Sequence, residues 1–129
     1  MTVDWMKAIR SGMPQSDLRR ALERGIANWD GGIDSVCREA PHVVVAHAPG
    51  SRQQDCITAL TYVELAAHFA GLGSCRAGWL DGAANTWRPL QLLLGLPEGS
   101  RSCGVLMLGY PKYRHYRIPL RRKARIVWQ

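Results

Sequence analysis

Few side chains in this sequence could carry chemistry, and the cysteines are the first to weigh. Cys37, Cys56, Cys75 and Cys103 are spaced 19, 19 and 28 residues apart, with no C-x-x-C pair. That spacing excludes a zinc knuckle and a thioredoxin-type motif. Three lie in apolar stretches, where reduced cysteines act as small hydrophobes, and reduced thiols make the cytoplasm the expected compartment. Glu64 and His68 stand four residues apart, on one face of any helix through them. A metal or acid–base pair can be built that way, but no further ligand accompanies them, so a buried hydrogen-bonded or ion pair is the expectation. His42 and His47 flank an apolar strand core and read as structural. Cys75 reads as an inert packed thiol, since nothing in the sequence lowers its pKa.

Two stretches and one tail stand out beyond these. Residues 59–80, ALTYVELAAHFAGLGSCRAGWL, run from a nearly all-apolar segment into Gly71-Leu72-Gly73 and on to Gly78-Trp79. Alone, the glycine pair is an ordinary helix C-cap. Together with LMLGYPKY at 106–113, the stretch reads as one wall of a cofactor pocket. The net charge of +7 belongs to the tail: residues 1–98 hold nine Lys/Arg against ten Asp/Glu, whereas residues 99–129 hold eight Lys/Arg and no acid. Such a tail should meet something anionic, a phosphate group, a nucleic acid or an acidic partner surface. Tyr110, Tyr113 and Tyr116 interleave with Lys112, Arg114, Arg117, Arg121, Arg122, Lys123 and Arg125, a pattern compatible with single-stranded nucleic acid.

These groups need a scaffold, and 129 residues supply one domain, 1–129, with one core. The 47% apolar and 21% charged content argues against global disorder. No apolar run is long enough for a membrane span, and with neither a basic nor an apolar stretch after Met1 no secretory signal is expected. Thr2 is placed to cap a short helix through Trp5, Met6 and Ile9. Ser16 is placed to cap a second, with Leu18, Leu22, Ile26 and Trp29 on one stripe and Asp30-Gly31-Gly32 ending it. Residues 33–39 are expected to add a turn or two. His42–Ala48 is a β-branched run expected to be a buried strand. Ser51 and Gln54 fit a capping box for a helix reaching about Gly71. Its apolar residues fall on nearly every face, which predicts a helix buried within the core. Cys75–Leu80 reads as a strand, Asn85 or Thr86 as the start of a short helix through Leu94, Cys103–Leu108 as a buried strand, and 126–128 as a strand-like scrap. The order predicts an α+β domain with at least three strands, an antiparallel or mixed sheet, around a buried helix.

APHVVVAHA, DCITALTYVELAAHFAGLGSCRAGWL, LLGLPEG and LMLGYPKY, in that order and spacing, resemble the C-terminal two-thirds of the FMN-dependent nitroreductase family. The likeness runs from about Asp4 to Trp128 and is greatest to the branch whose members also occur fused to ferredoxin-type modules. It implies a nitroreductase-like fold and a homodimer with FMN at the subunit interface. Hydride would pass from NAD(P)H onto flavin N5, and reducing equivalents on to a small electron-poor acceptor. It also implies that main-chain amides of Ser74, Cys75, Arg76, Ala77 and Gly78 run beside the isoalloxazine ring, and that Arg121 and Arg122 hold the FMN phosphate. Arginine suits phosphate because its planar fork pairs bidentately with the oxygens. No side chain is nominated as a catalytic acid or base, and no metal is implied. The five tryptophans read as core and interface fillers, with Trp128 able to dock on a partner chain. The family's opening Arg-x-Ser-x-Arg and Ser/Asn-Gln-Pro segments do not occur here, so the sequence reads as an N-terminally truncated domain. Two rival readings stand beside it. One is a non-catalytic, flavin-free remnant that dimerises or docks through apolar faces. The other is nucleic-acid binding by the tail, ranked behind FMN phosphate and plain surface.

Overall fold

Ser16 starts its helix as its chemistry requires. In the computed structural model, which describes residues 2–113, 116, 120, 122–123 and 125–128, Ser16 has extended backbone (φ −156°, ψ 167°) and its side-chain oxygen accepts the Arg19 N–H. One orphan donor of the first turn is thereby satisfied. This helix, α2 (Asp17–Asp30), packs against α1 (Thr2–Arg10), with Val3, Trp5, Met6, Leu22 and Ile26 buried between and beneath them. Thr2 is the first residue of α1 rather than the residue outside it. The outer ends of the expected α2 stripe, Leu18 and Trp29, remain half-exposed.

Three strands follow: β1 (His42–Pro49), β2 (Gly73–Arg76) and β3 (Ser100–Gly109), in the antiparallel order β1-β3-β2. Between them lie a single 3-10 turn (Gly50–Arg52), α3 (Gln53–Phe69), α4 (Gly78–Thr86) and α5 (Arg88–Leu93). The last strand in sequence is the central one in space, and it carries the core. Val105 and Met107 face a cluster shared with α1, α2 and α4, including Leu22, Ile26, Leu80 and Ala83. Alternation turns the fully buried Leu106 to the other face, where α3 packs. Trp5 ties the first helix to α4: its Nε1 donates to Thr86 Oγ1 at 2.9 Å, and its ring lies 3.3 Å from where a Cβ on Gly82 would stand.

The α+β class and the three-stranded antiparallel sheet agree with expectation, but several elements differ. β1 is an edge strand and half-exposed; its β-branched composition marks a strand without saying which place it takes in the sheet. α3 is not enclosed: only Leu60 and Ala67 are buried, while Tyr62, Leu65 and Phe69 are 69%, 54% and 88% exposed. It lies outermost on one face of a three-stranded sheet, so a single stripe is all this chain can cover. The capping box does not form; a 3-10 turn leads into α3, and Arg52 at its N-cap makes no side-chain capping bond. Residues 33–39 form a loop, not further helix. The strand expected at Cys75–Leu80 begins earlier, and Gly78–Leu80 already belong to α4. Asn85 and Thr86 therefore end a helix. Extended Trp87 (φ −120°, ψ 108°) then breaks the chain, and Pro89 sits in the opening turn of α5. Residues 126–128 form no strand. Arg114, Arg117 and Arg121 lie outside the described residues.

Candidate functional site

Where β2 begins and β3 ends, three segments converge on an open cleft of about 510 Å³. Its walls are residues 37–41, 73–75 and 107–113. Close approach explains two glycines there. A Cβ on Gly73 would stand 3.4 Å from Pro111 Cβ, and one on Gly109 only 3.0 Å from Pro41 Cδ. These two glycines face each other across the β2–β3 ladder, so the strands and both proline-bearing loops meet without side chains between them.

The 37–41 wall is held from below by one carboxylate. Asp34 Oδ1 accepts the N–H groups of Val36 and Cys37, each at 2.9 Å, and Oδ2 accepts that of Glu39 at 3.2 Å. Partial burial pushes this carboxyl up, but the amides of Cys37, Glu39, Val36 and Arg38 pull it down further, leaving it below the ordinary carboxylate range. Arg38 and Glu39 are both left-handed (φ 54° and 57°), a costly conformation for residues bearing side chains. Together they set a cation and an anion on the rim. Lys112 adds a second cation from the 107–113 wall, its Nζ 5.7 Å from the centre of the Tyr113 ring.

β2 supplies main-chain donors. It is an edge strand, and the Ala77 N–H donates to Val105 O at 2.9 Å. Antiparallel alternation then directs the amides of Ser74 and Arg76 off the outer edge. The first helical bond of α4 runs from Asp81 N to Ala77 O, so the amides of Gly78, Trp79 and Leu80 have no acceptor within the helix. A row of N–H donors thus follows the chain from Ser74 into α4.

The expected site residues divide within this geometry. Ser74 and Cys75 line the cleft, and Cys75 is an exposed thiol rather than a packed one. Edge position, which composition does not reveal, is the reason. Arg76 turns away to α3: its Nη2 and Nε lie 2.6 Å and 3.0 Å from Glu64 Oε2, with Thr61 Oγ1 3.5 Å from Nη2. Glu64 therefore pairs with Arg76, not with His68 as expected; His68 is exposed, its ring edge-on to Phe69 at 6.2 Å. Ala77 is buried. A Cβ on Gly78 would meet nothing within 4 Å in this chain. Arg122 is solvent-exposed on the tail, and Arg121 lies outside the described residues. The sequence reading missed Arg38, because nothing in its neighbours announces a left-handed turn. It counted Lys112 only among the tail cations, not as part of this cleft. Among the described residues no group of three or more His, Cys, Asp or Glu could hold a metal ion, and no helix is long and apolar enough to cross a membrane.

Comparison with known proteins places this geometry in context. The nitroreductase family model matches residues 4–110. Among solved structures, the chain is similar to a nitroreductase with bound FMN from Bacteroides fragilis NCTC 9343, with a TM-score of 0.72 and 20% identity over 99% of this chain and 71% of that one. It is also similar to an oxidized iodotyrosine deiodinase bound to FMN and 3-iodo-L-tyrosine, with a TM-score of 0.54 and 21% identity over 95% of this chain and 66% of that one. At such identities the structural likeness speaks for the fold. Comparison with curated protein sequences gave no significant match.

Proposed function

This chain belongs to the nitroreductase family, and from that premise we propose that it is an FMN-dependent oxidoreductase drawing on NAD(P)H and serving a small electron-poor acceptor. The observation that carries the reading is the donor row from Ser74 into α4, set beside an open cleft that Arg38 and Lys112 also line. A flavin nucleotide fits that donor set. Its ring edge offers oxygens and nitrogens that accept hydrogen bonds, and its phosphate needs cations. When bound, FMN would supply hydride acceptance and donation, which no side chain here can perform.

The protein's part is to bind and orient. The outward amides of Ser74 and Arg76, continued by Gly78, would hold the polar edge of the ring. The ion pair between the Arg76 side chain and Glu64 fixes the β2 edge against α3, so those amides keep their direction. Arg122 and Arg121 would hold the phosphate, and Arg38 and Lys112 would add positive potential at the mouth. Water supplies and takes up protons. The functional unit would be a homodimer, with the apolar outer face of α3 (Tyr62, Leu65, Phe69) against a second copy.

Titration of the purified protein with FMN, followed by visible absorbance and quenching of flavin fluorescence, tests the reading. Saturable binding is expected, with bleaching of the bound flavin by NADH or NADPH under anaerobic conditions. Replacing Arg121 and Arg122 together by Ala should weaken binding roughly tenfold or more, the size of a lost charge-assisted contact. Protein that takes up no FMN at any concentration would overturn it. The exposed face of α3 also supports a second reading, a flavin-free module that self-associates, distinguished by association without FMN uptake.

A further inference from the structure

β3 carries an irregularity that re-aims a cysteine. Ala46 of β1 lies opposite Gly104, but His47 lies opposite Ser102, so Cys103 is the extra residue of a β-bulge. An extra residue reverses the alternation of side chains along a strand. Val105 and Met107 face the core shared with α1, α2 and α4. Ser102, beyond the bulge, faces α4 too, its Oγ donating to Asp81 Oδ1 at 2.6 Å. Cys103 and Gly104 are left together on the opposite face, against α3.

Helical spacing supplies the partner. Gln53, Cys56 and Leu60 stand at i, i+3 and i+7 and line one face of α3. At one end of this row, Gln53 lines the same small cavity as Cys103. At the other, Leu60 Cδ1 lies 2.8 Å from where a Cβ on Gly104 would stand. Cys56 sits between those two contacts. Cys103 Sγ donates to Arg101 O at 3.5 Å, which holds the thiol at the bulge. Burial, first, and then the neighbouring Cys103 thiol and the Asp55 carboxylate push the Cys56 thiol up. Cys103 is buried and Cys56 half-buried, so reagents reach the pair from the Cys56 side.

We propose that Cys56 and Cys103 form a dithiol modification site, closed to an intramolecular disulfide by exchange with a low-molecular-weight disulfide. The raised pKa of Cys56 restricts its thiolate to a minor fraction near neutrality, so the exchange quickens with rising pH. Once deprotonated, the Cys56 thiolate attacks one sulfur of the oxidant, breaking its S–S bond and releasing one small thiol. The Cys103 thiolate then attacks Cys56 Sγ in the mixed disulfide and expels the second. Two protein thiols are oxidised, one small disulfide is reduced to two thiols, and the two protons from the cysteines end on the released thiols. The new bond fixes the first turns of α3 to the central strand. It depends on no flavin.

The test treats the full chain with oxidised glutathione, blocks free thiols under denaturing conditions and maps the fragments. Trypsin leaves Cys56 and Cys75 on one fragment, so a second cleavage after Glu64 is needed to separate them. The expected product joins the Cys56 fragment to the Cys103 fragment within one chain and disappears on reduction with dithiothreitol. In Cys103→Ser the glutathione should instead stay on Cys56. Recovery of Cys56 and Cys103 unlinked from wild-type protein would overturn the assignment, as would linkage of either to Cys37, to Cys75 or to another copy.

Discussion

Asp34 stabilises a whole loop with two oxygens. Three amides converge on it, and the left-handed pair Arg38–Glu39 lies within the turn they tie down. Asp34→Ala should lower stability by about 1–2 kcal/mol, the net worth of such bonds for a partly solvated group, read as a lower urea midpoint, with Asp34→Asn losing less. The pH dependence has a definite sign. The native carboxyl titrates below its unfolded value of 3.8, so its contribution is fully present above that pH. It fades as pH falls through the lower native value. The stability gap between wild type and Asp34→Asn should therefore be constant near neutrality and close in acid. A gap unchanged down to strongly acid pH would refute this role. Ser16 was legible because its capping chemistry is local. Asp34 was not, since an Asx turn and a helix start are written with the same letters, and only the packing of Val36 into the core selects the turn.

Strand place, more than strand identity, decides what β2 can do. The apolar runs marked β1 and β3 as strands, and the two stretches at 59–80 and 106–113 do meet at one cleft. Which strand is central, and which presents a bare edge, depends on pairings between residues far apart in sequence, and composition carries little of that. The edge position permits a clean experiment. Proline at residue 74 would remove an N–H that points away from β3 and would leave the ladder intact, a substitution edge strands tolerate. Ser74→Pro is expected to keep its unfolding transition within about 1 kcal/mol of wild type while binding FMN more weakly. An equal loss of stability and binding would mean that the amide belongs to the fold instead. The same long-range logic explains α3: its all-round apolar pattern predicts burial on every side, but only the Leu60 and Ala67 stripe is covered, because the sheet lies on one side of the helix alone.

At the scale of the molecule, the apolar surface is unevenly finished. Tyr62, Leu65 and Phe69 on α3, Leu92 and Leu93 on α5, and Tyr110, Val127 and Trp128 on the tail are all exposed, and the three on α3 share one stripe of the helix. With Leu65 and Phe69 both changed to Asp, self-association measured by sedimentation should be lost or weakened by roughly tenfold or more, the effect expected when central anchors are removed, with the far-ultraviolet circular dichroism retained. Unaltered association would move the subunit contact elsewhere. The free margin of β1 is finished differently. Among the described residues, the backbone groups of β1 that point away from β3 have no strand beside them and would invite a stranger's strand to join and grow a fibril, yet Pro41 stands immediately before that margin and Pro49 is its last residue. Neither can donate, so an incoming chain finds no foothold at either end. The bracketing prolines give this small sheet a guard against uncontrolled lengthening, even while a helix nearby stays open to orderly company.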